Sequence, residues 1–112
     1  MSLIETCTER LAAAIRTGDV YKRYKKALDE LKMMPDEKAK MDELRILNYR
    51  MQNEENDIDL YEAIDEVSER MDELRKIPQV REFLSAEQAL CRQLQNINAT
   101  IHQGIEIDVP DL

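Results

Sequence analysis

The scarcity of turn-forming residues constrains the fold of this chain more than any other feature. Two glycines and three prolines occur in 112 residues. Sandwiches, barrels and doubly wound sheets need many chain reversals, and reversals favour glycine and proline. The sequence therefore excludes these folds and predicts an all-α protein. We expect one domain over residues 1–112, because half of this length is too short to bury a core.

The few helix-breaking segments divide the chain into five runs, in which apolar residues recur every three or four positions. This spacing is typical of amphipathic helices. Gly18 either ends the first helix or kinks one longer helix. The predicted helical runs cover residues 3–17, 19–33, 35–53, 59–76 and 79–103, followed by a tail over residues 104–112.

The apolar positions of these runs predict the buried faces of the helices. The last run is the most regular, because it follows a heptad pattern over three repeats. Its stripe consists of Val80, Phe83, Glu87, Leu90, Leu94, Ile97 and Ile101. The stripes of the first, third and fourth runs are Ile4, Leu11 and Ile15, then Met41, Leu44, Asn48 and Met51, then Leu60, Ile64, Val67, Met71 and Leu74.

Helices of this length are slender rods of roughly 27–37 Å. Four such rods from so short a chain leave apolar stripes that a single copy cannot cover, and such stripes are normally covered by another chain. We therefore predict an antiparallel bundle of about four long helices that associates as a homodimer or a higher oligomer.

The charge balance limits the possible ligands. Sixteen lysines and arginines against 24 acidic residues give a formal net charge of −8. This negative field disfavours direct nucleic-acid binding and anionic membrane surfaces. No apolar run reaches the ~18 residues that a membrane span needs. We expect no membrane association, and nucleic-acid contact only through a local patch or a partner chain.

The first ten residues contain Glu5, Glu9 and Arg10, where an export signal would have an uninterrupted apolar segment. The sequence therefore favours a cytoplasmic protein, in which Cys7 and Cys91 stay reduced. Both cysteines lie within apolar stripes, which predicts buried thiols. Their separation rules out a C-x-x-C site for zinc or an iron–sulfur cluster.

No residue pattern indicates catalysis. Pairs such as Glu62-x-x-Asp65 resemble the carboxylate ladders of helical metal-dependent nucleotide hydrolases, but an acidic chain contains several such pairs by chance. His102, the single histidine, lacks the Glu three residues earlier that di-iron bundles use. We predict no enzyme activity, no metal and no cofactor. A small helical mutase or nucleotide hydrolase, with a site between helices, is the alternative.

Two surfaces are candidate contact sites. The second run carries four cations beside Tyr21 and Tyr24; a solvated helix face is the favoured interpretation, and a patch for a partner or for RNA is the alternative. The third run has a second apolar face, turned away from its stripe. The candidate partner-binding residues are Lys22, Arg23, Lys25 and Lys26 (the basic edge) and Ile46 and Tyr49 (the second face).

Glu87 occupies a stripe position of the last run, where an unpaired carboxylate would be costly. Arg45, with Asn48 and Gln52, can supply cationic or amide partners from the third run. We predict a buried structural pair of Arg45 and Glu87 that fixes helix register. A polar recognition pocket is the alternative.

Several segments, in their order and spacing, resemble the YlbF/YmcA family of small bacterial proteins. The likeness runs from about Leu11 to Asp108. It is carried by Tyr21-x-x-Tyr24-x-x-Ala27-x-x-x-Leu31, Pro35, Leu44-Arg45-x-x-Asn48-x-x-x-Gln52 and Pro78-x-Val80-x-x-Phe83-Leu84-x-Ala86-Glu87-x-x-Leu90.

This resemblance implies a helical, often self-associating regulatory protein in the cytoplasm of Gram-positive-type bacteria. It implies roles in competence, sporulation and biofilm formation. It also implies that the family members act in a complex with a third, unrelated protein and that they influence mRNA processing by RNase Y. Some relatives bind iron–sulfur clusters through cysteines of a C-terminal tail, but residues 104–112 contain none. We expect a non-enzymatic adaptor whose partners include a paralogous helical protein and a ribonuclease complex, with a cluster only if partner chains supply its ligands.

Overall fold

The computed structural model describes residues 1–53 and 60–111. Within them the chain forms five α-helices and no strand, which confirms the all-α prediction. The helices are α1 (Leu3–Thr17), α2 (Asp19–Lys32), α3 (Pro35–Asn53), α4 (Leu60–Leu74) and α5 (Pro78–Gln103). Their ends agree closely with the predicted runs; residue 59, the predicted start of the fourth run, lies outside the described residues. The antiparallel arrangement and the association into oligomers stay predictions.

Local signals at the helix ends explain these boundaries. The Ser2 hydroxyl oxygen accepts a hydrogen bond from the Glu5 N–H at 3.1 Å, which caps the start of α1. Pro35 begins α3 at a position where no backbone N–H is needed, and Asp36 and Glu37 follow in the first turn. A hydroxyl cap and a proline followed by acidic residues are both favoured at helix starts.

Gly18 separates α1 from α2. Its N–H donates to the Ile15 carbonyl at 3.2 Å, and its own carbonyl accepts from the Lys22 N–H at 3.1 Å. One residue therefore closes α1 and opens α2. Of the two predicted alternatives, the structure has the one in which Gly18 ends the first helix.

The chain divides into two compact units. The terminal unit comprises Met1–Tyr24 and Ser85–Leu112, and the central unit comprises Lys25–Leu84. The boundary falls within α2 and within α5. That the whole chain acts as one domain stays a prediction.

The central unit contains nearly all buried apolar side chains of the described residues, and α3 and α4 pack against each other within it. Full burial of a large apolar side chain contributes about 1.5–3 kcal/mol. The fully buried large side chains are Leu31, Met41, Leu44, Val80 and Phe83. Ala27, Ala63 and Leu74 complete this core.

The buried face of α4 differs from the predicted stripe. Ala63 is buried, whereas Ile64 is 51% exposed. Arg70, on the same helix face as Ala63, is half-buried, and its Nη2 lies 3.3 Å from Glu43 Oε2 of α3. An ion pair and an alanine therefore occupy the face that periodicity alone assigned to isoleucine.

The terminal unit buries little. Ala86 is its single buried residue among those described, and α1 has none. In the predicted α1 stripe, Ile15 is half-buried, whereas Ile4 and Leu11 are exposed. Cys7 and Cys91 are also exposed, so the prediction of buried thiols is wrong. The chain does not cover the part of α1 that contains Ile4, Cys7 and Leu11, and Cys91 lies beside the apolar stripe of α5 rather than on it. In the described part of the chain, no helix combines the length and apolar character of a membrane span.

Candidate partner-binding surfaces

A groove of about 610 Å³ lies in the terminal unit, between Leu11 of α1 and one side of α5. We call it the terminal groove. Its α5 side consists of Ala89, Arg92, Gln93, Asn96, Ile97, Thr100 and Ile101. The spacing of these residues places them on neighbouring rows of one helix, so they form a continuous wall. The lining is apolar with uncharged polar groups, and its single charged side chain is Arg92.

One polar atom of the terminal groove has no bonding partner. Gln93 Oε1 is buried, and no described residue donates a hydrogen bond to it. A buried polar atom without a partner costs about 1–3 kcal/mol. This oxygen is enclosed by the chain itself, so it is a local cost of the α5 packing.

The α5 sequence along the groove is depleted of charge. Charged residues make up 36% of the chain, yet from Gln88 to Gln103 there is no acidic residue, and Arg92 is the only lysine or arginine. Depletion of charged residues is typical of the centre of a protein–protein interface. This depletion is the sequence signal that could have found the groove, which our sequence analysis missed.

The four cations of the basic edge have different surroundings. Lys22, Lys25 and Lys26 are exposed on one face of α2, and Lys25 Nζ pairs with Asp29 Oδ1 at 3.2 Å. Arg23 instead donates a hydrogen bond from Nη2 to Ser85 Oγ of α5 at 2.9 Å. The structure therefore brings three of the four predicted cations onto one face and turns the fourth toward α5.

The aromatic part of this edge belongs to the helix packing. The rings of Tyr21 and Tyr24 are half-buried, with centroids 6.1 Å apart and planes tilted by 39°. Rings at this distance and tilt stabilise each other through their edges and faces. Their burial leaves less aromatic surface for stacking on a base.

The second face of α3 is open to solvent. Ile46 is 61% exposed and Tyr49 is 66% exposed. Beside them lies a pocket of about 200 Å³, lined by Glu43, Ile46, Leu47 and Arg50. The side chains therefore point away from the core, although their role in binding a partner stays a prediction.

The predicted pair of Arg45 and Glu87 is not buried. No polar or charged side chain is buried in residues 1–51 and 62–111, the part for which burial is described; Arg45 is exposed and Glu87 is half-buried. The Arg45 guanidinium lies 5.5 Å from the centroid of the Phe83 ring, and its Nη1 lies 3.2 Å from Asp42 Oδ1. Arginine commonly covers an apolar ring with its stem while its charged end stays in water. The pairing with Glu87 stays a prediction.

A second groove lies in the central unit. It has a volume of about 290 Å³ and includes Lys40, Arg70 and Glu73 in its lining. Glu73 also accepts a hydrogen bond from Lys76 Nζ at 2.8 Å, which raises the pKa of Lys76 above its usual value. In the described part of the chain, no three His, Cys, Asp or Glu side chains are placed to hold a metal ion.

Comparison with protein families assigns the chain to one of them. The model of a family described as "Control of competence regulator ComK, YlbF/YmcA" matches residues 4–106. The chain belongs to the YlbF/YmcA family. The match extends from α1 through α5 into the tail, so it includes residues of both units. Comparisons with curated proteins and with solved structures find no match.

Membership in the YlbF/YmcA family confirms the resemblance found in the sequence, and the family description supports a regulatory role. It does not assign a function to single residues. The terminal groove, the basic edge and the second face of α3 are therefore candidate surfaces of this YlbF/YmcA protein on physical grounds. These grounds are exposed apolar area, the absence of acidic residues from Gln88 to Gln103, and clustered cations.

Proposed function

We propose that this YlbF/YmcA protein is a non-enzymatic regulatory adaptor, which acts by binding copies of itself and other proteins through exposed helix faces. The observation that carries the proposal is the number of large apolar side chains left exposed on well-formed helices, among them Ile46 of α3 and Leu94 of α5. Monomeric proteins seldom leave contiguous apolar faces uncovered, because their burial in a complex is favourable.

The proposed partners follow from the family. A family described as controlling the competence regulator ComK supports regulation of competence. By the same resemblance, we propose a cytoplasmic complex with a paralogous helical protein, which modulates mRNA processing by RNase Y and thereby competence, sporulation and biofilm formation.

Two surfaces would serve the binding of other proteins. The second face of α3 offers Ile46 and Tyr49, which would be buried at the centre of an interface. The basic edge is a separate surface, where the exposed Lys22, Lys25 and Lys26 would attract acidic residues of a partner. Exposed charges of this kind raise the rate of association more than they raise affinity.

Capture of partners from the native cell tests the proposal. We expect the tagged chain to capture a paralogous helical protein or a ribonuclease, identified by mass spectrometry. Ile46→Asp should greatly reduce this capture, because it places a charge in the proposed interface. Met33→Asp is the matched control, since Met33 is 83% exposed and lies outside both surfaces. Circular dichroism checks that both variants keep the helical fold. In the reciprocal experiment, the paralogous protein or the ribonuclease carries the tag. The proposal is contradicted if the unmodified chain captures neither protein in its native cell and neither tagged protein captures the chain.

A further inference from the structure

The apolar stripe of α5 continues past the point at which the chain covers it. Val80 and Phe83, at the start of the stripe, are fully buried. Leu94 is 45% exposed and Ile101 is 48% exposed, although both continue the same heptad spacing. A heptad stripe of this regularity packs against another helix when it can. The end of α5 therefore lacks a helix that its sequence is patterned to meet.

The first helix shows the same deficiency within the same unit. Along its stripe, Ile15 is half-buried, Leu11 is 38% exposed and Ile4 is 79% exposed. Leu11 also lines the terminal groove together with Ile97 and Ile101. The groove is therefore one apolar surface built from two helices, and a pair of helices with an open groove can complete a four-helix bundle with a second pair.

The charge of the chain indicates what can occupy this groove. Each copy has a net charge of −8, so two copies repel each other over most of their surface. The α5 segment from Gln88 to Gln103 is the exception, because it has no acidic residue. Two copies that meet through this segment bring no carboxylates of α5 together.

The polar groups of the groove are complementary to themselves. Gln93, Asn96 and Thr100 each carry a hydrogen-bond donor and an acceptor. A charged surface needs a partner of opposite charge, whereas a surface of amides and hydroxyls can pair with a second copy of itself.

We propose that the terminal groove is the self-association surface of this protein, closed by the terminal unit of a second copy around a two-fold axis. This inference rests on the proposed function, of which it names one partner and one surface. We choose a second copy as the occupant for two reasons. The groove is apolar and has no acidic residue in its lining, so two strongly acidic chains can meet there with little repulsion. Its amides can also pair with the same amides of another copy.

Sedimentation velocity at increasing protein concentration tests the association. We expect a dimer, and we expect Asn96→Asp and Ile101→Asp, both in the groove lining, each to raise its dissociation constant roughly tenfold or more, as charges placed in an interface centre do. Met33→Asp adds the same charge at an exposed apolar residue of the central unit and should leave the constant unchanged. Two variants at different positions on α5 guard against a local folding defect in either.

An introduced thiol locates the surface independently. In a chain with Cys7→Ser, Cys91→Ser and Thr100→Cys, the only thiol lies in the lining of the terminal groove. Its rate of reaction with a maleimide should fall several-fold as the protein concentration rises. Addition of Ile101→Asp should remove this dependence.

The other possible outcomes contradict the self-association surface, and each can be told apart from a failure of the adaptor proposal. A dimer that survives Ile101→Asp and leaves the thiol of the Thr100→Cys chain reactive uses another face, which contradicts this surface but keeps the adaptor proposal. A chain that stays monomeric, or one whose introduced thiol is protected at every concentration, also refutes self-closure of the groove. The adaptor proposal then depends on the capture experiment with Ile46→Asp alone.

Discussion

The two ends of α5 have the same sequence pattern and opposite surroundings. In the central unit, Val80 and Phe83 are completely buried. In the terminal unit, Leu94 and Ile101 continue the same stripe and are about half exposed. The difference shows that a heptad pattern specifies which face of a helix seeks an apolar neighbour. It does not specify which chain provides that neighbour.

The energetic consequence is an uneven distribution of stability. The central unit has five fully buried large apolar side chains, whereas the terminal unit has a single buried residue, Ala86, among those described. Elements with few buried apolar contacts open locally at a lower free energy than the core. The terminal unit should therefore gain most from a partner.

Truncation within the stripe should separate the two ends most strongly. Phe83→Ala removes a fully buried ring and the surface on which Arg45 rests, so the free energy of unfolding should fall by about 3–5 kcal/mol. Leu94→Ala, measured at a concentration where the chain is monomeric, should lower it by under about 1 kcal/mol. Denaturant titration measures both. Equal losses at the two positions would show that the terminal stripe is covered within one copy.

Ala86 provides the second test, because it is the one tightly enclosed position of the terminal unit. Ala86→Leu should lower the free energy of unfolding by about 1–3 kcal/mol, since the added methylenes have no space. Ala99→Leu, at an exposed position of the same helix, is the control and should change it by less than about 0.5 kcal/mol. A tolerated Ala86→Leu would mean that the terminal unit has no close-packed position.

Much of the fold was predictable because apolar spacing fixes both the helices and their inner faces. The spacing predicted the five helices and the burial of Met41, Leu44 and Phe83. It failed for α4, where Ala63 is buried instead of Ile64: Ala63 shares its helix face with Arg70, whose Nη2 lies 3.3 Å from Glu43 Oε2 of α3. A contact between distant residues of this kind leaves no periodic signal.

The candidate sites were predictable in part. The second face of α3 follows from Ile46 and Tyr49 lying off the stripe, and both are exposed. The terminal groove was missed because its stripe was assigned to the core, with Cys91 expected to be buried. Periodicity identifies an apolar face equally well in a core and in an interface. The lack of acidic residues from Gln88 to Gln103 favours an interface over a core for this stripe. The composition of the whole chain does not reveal this local depletion.

The pair that joins α3 and α4 should have a smaller effect than either core substitution. Arg70 Nη2 lies 3.3 Å from Glu43 Oε2, with side chains 37% and 66% exposed. An exposed pair of this kind contributes about 0.2–1 kcal/mol. A double-mutant cycle with Glu43→Gln and Arg70→Gln should give a coupling energy in this range that decreases at high salt. A much larger coupling would mean that the ion pair, rather than apolar burial, holds the two helices together.

The smallest effect concerns an exposed pair at the end of α4. The hydrogen bond from Lys76 to Glu73, and then the charge of Glu73, raise the pKa of Lys76 in the folded chain above its usual 10.5. A raised folded pKa stabilises the fold fully below the unfolded pKa, and this contribution disappears as the pH rises through the folded pKa. In Glu73→Gln, the pKa of Lys76, followed by the NMR shift of its side-chain carbon next to nitrogen, should therefore be lower than in the unmodified chain. Because the pair is fully exposed, the loss of stability should be slight, far below that of Phe83→Ala. An unchanged Lys76 midpoint in Glu73→Gln would mean that water, rather than Glu73, solvates the ammonium group.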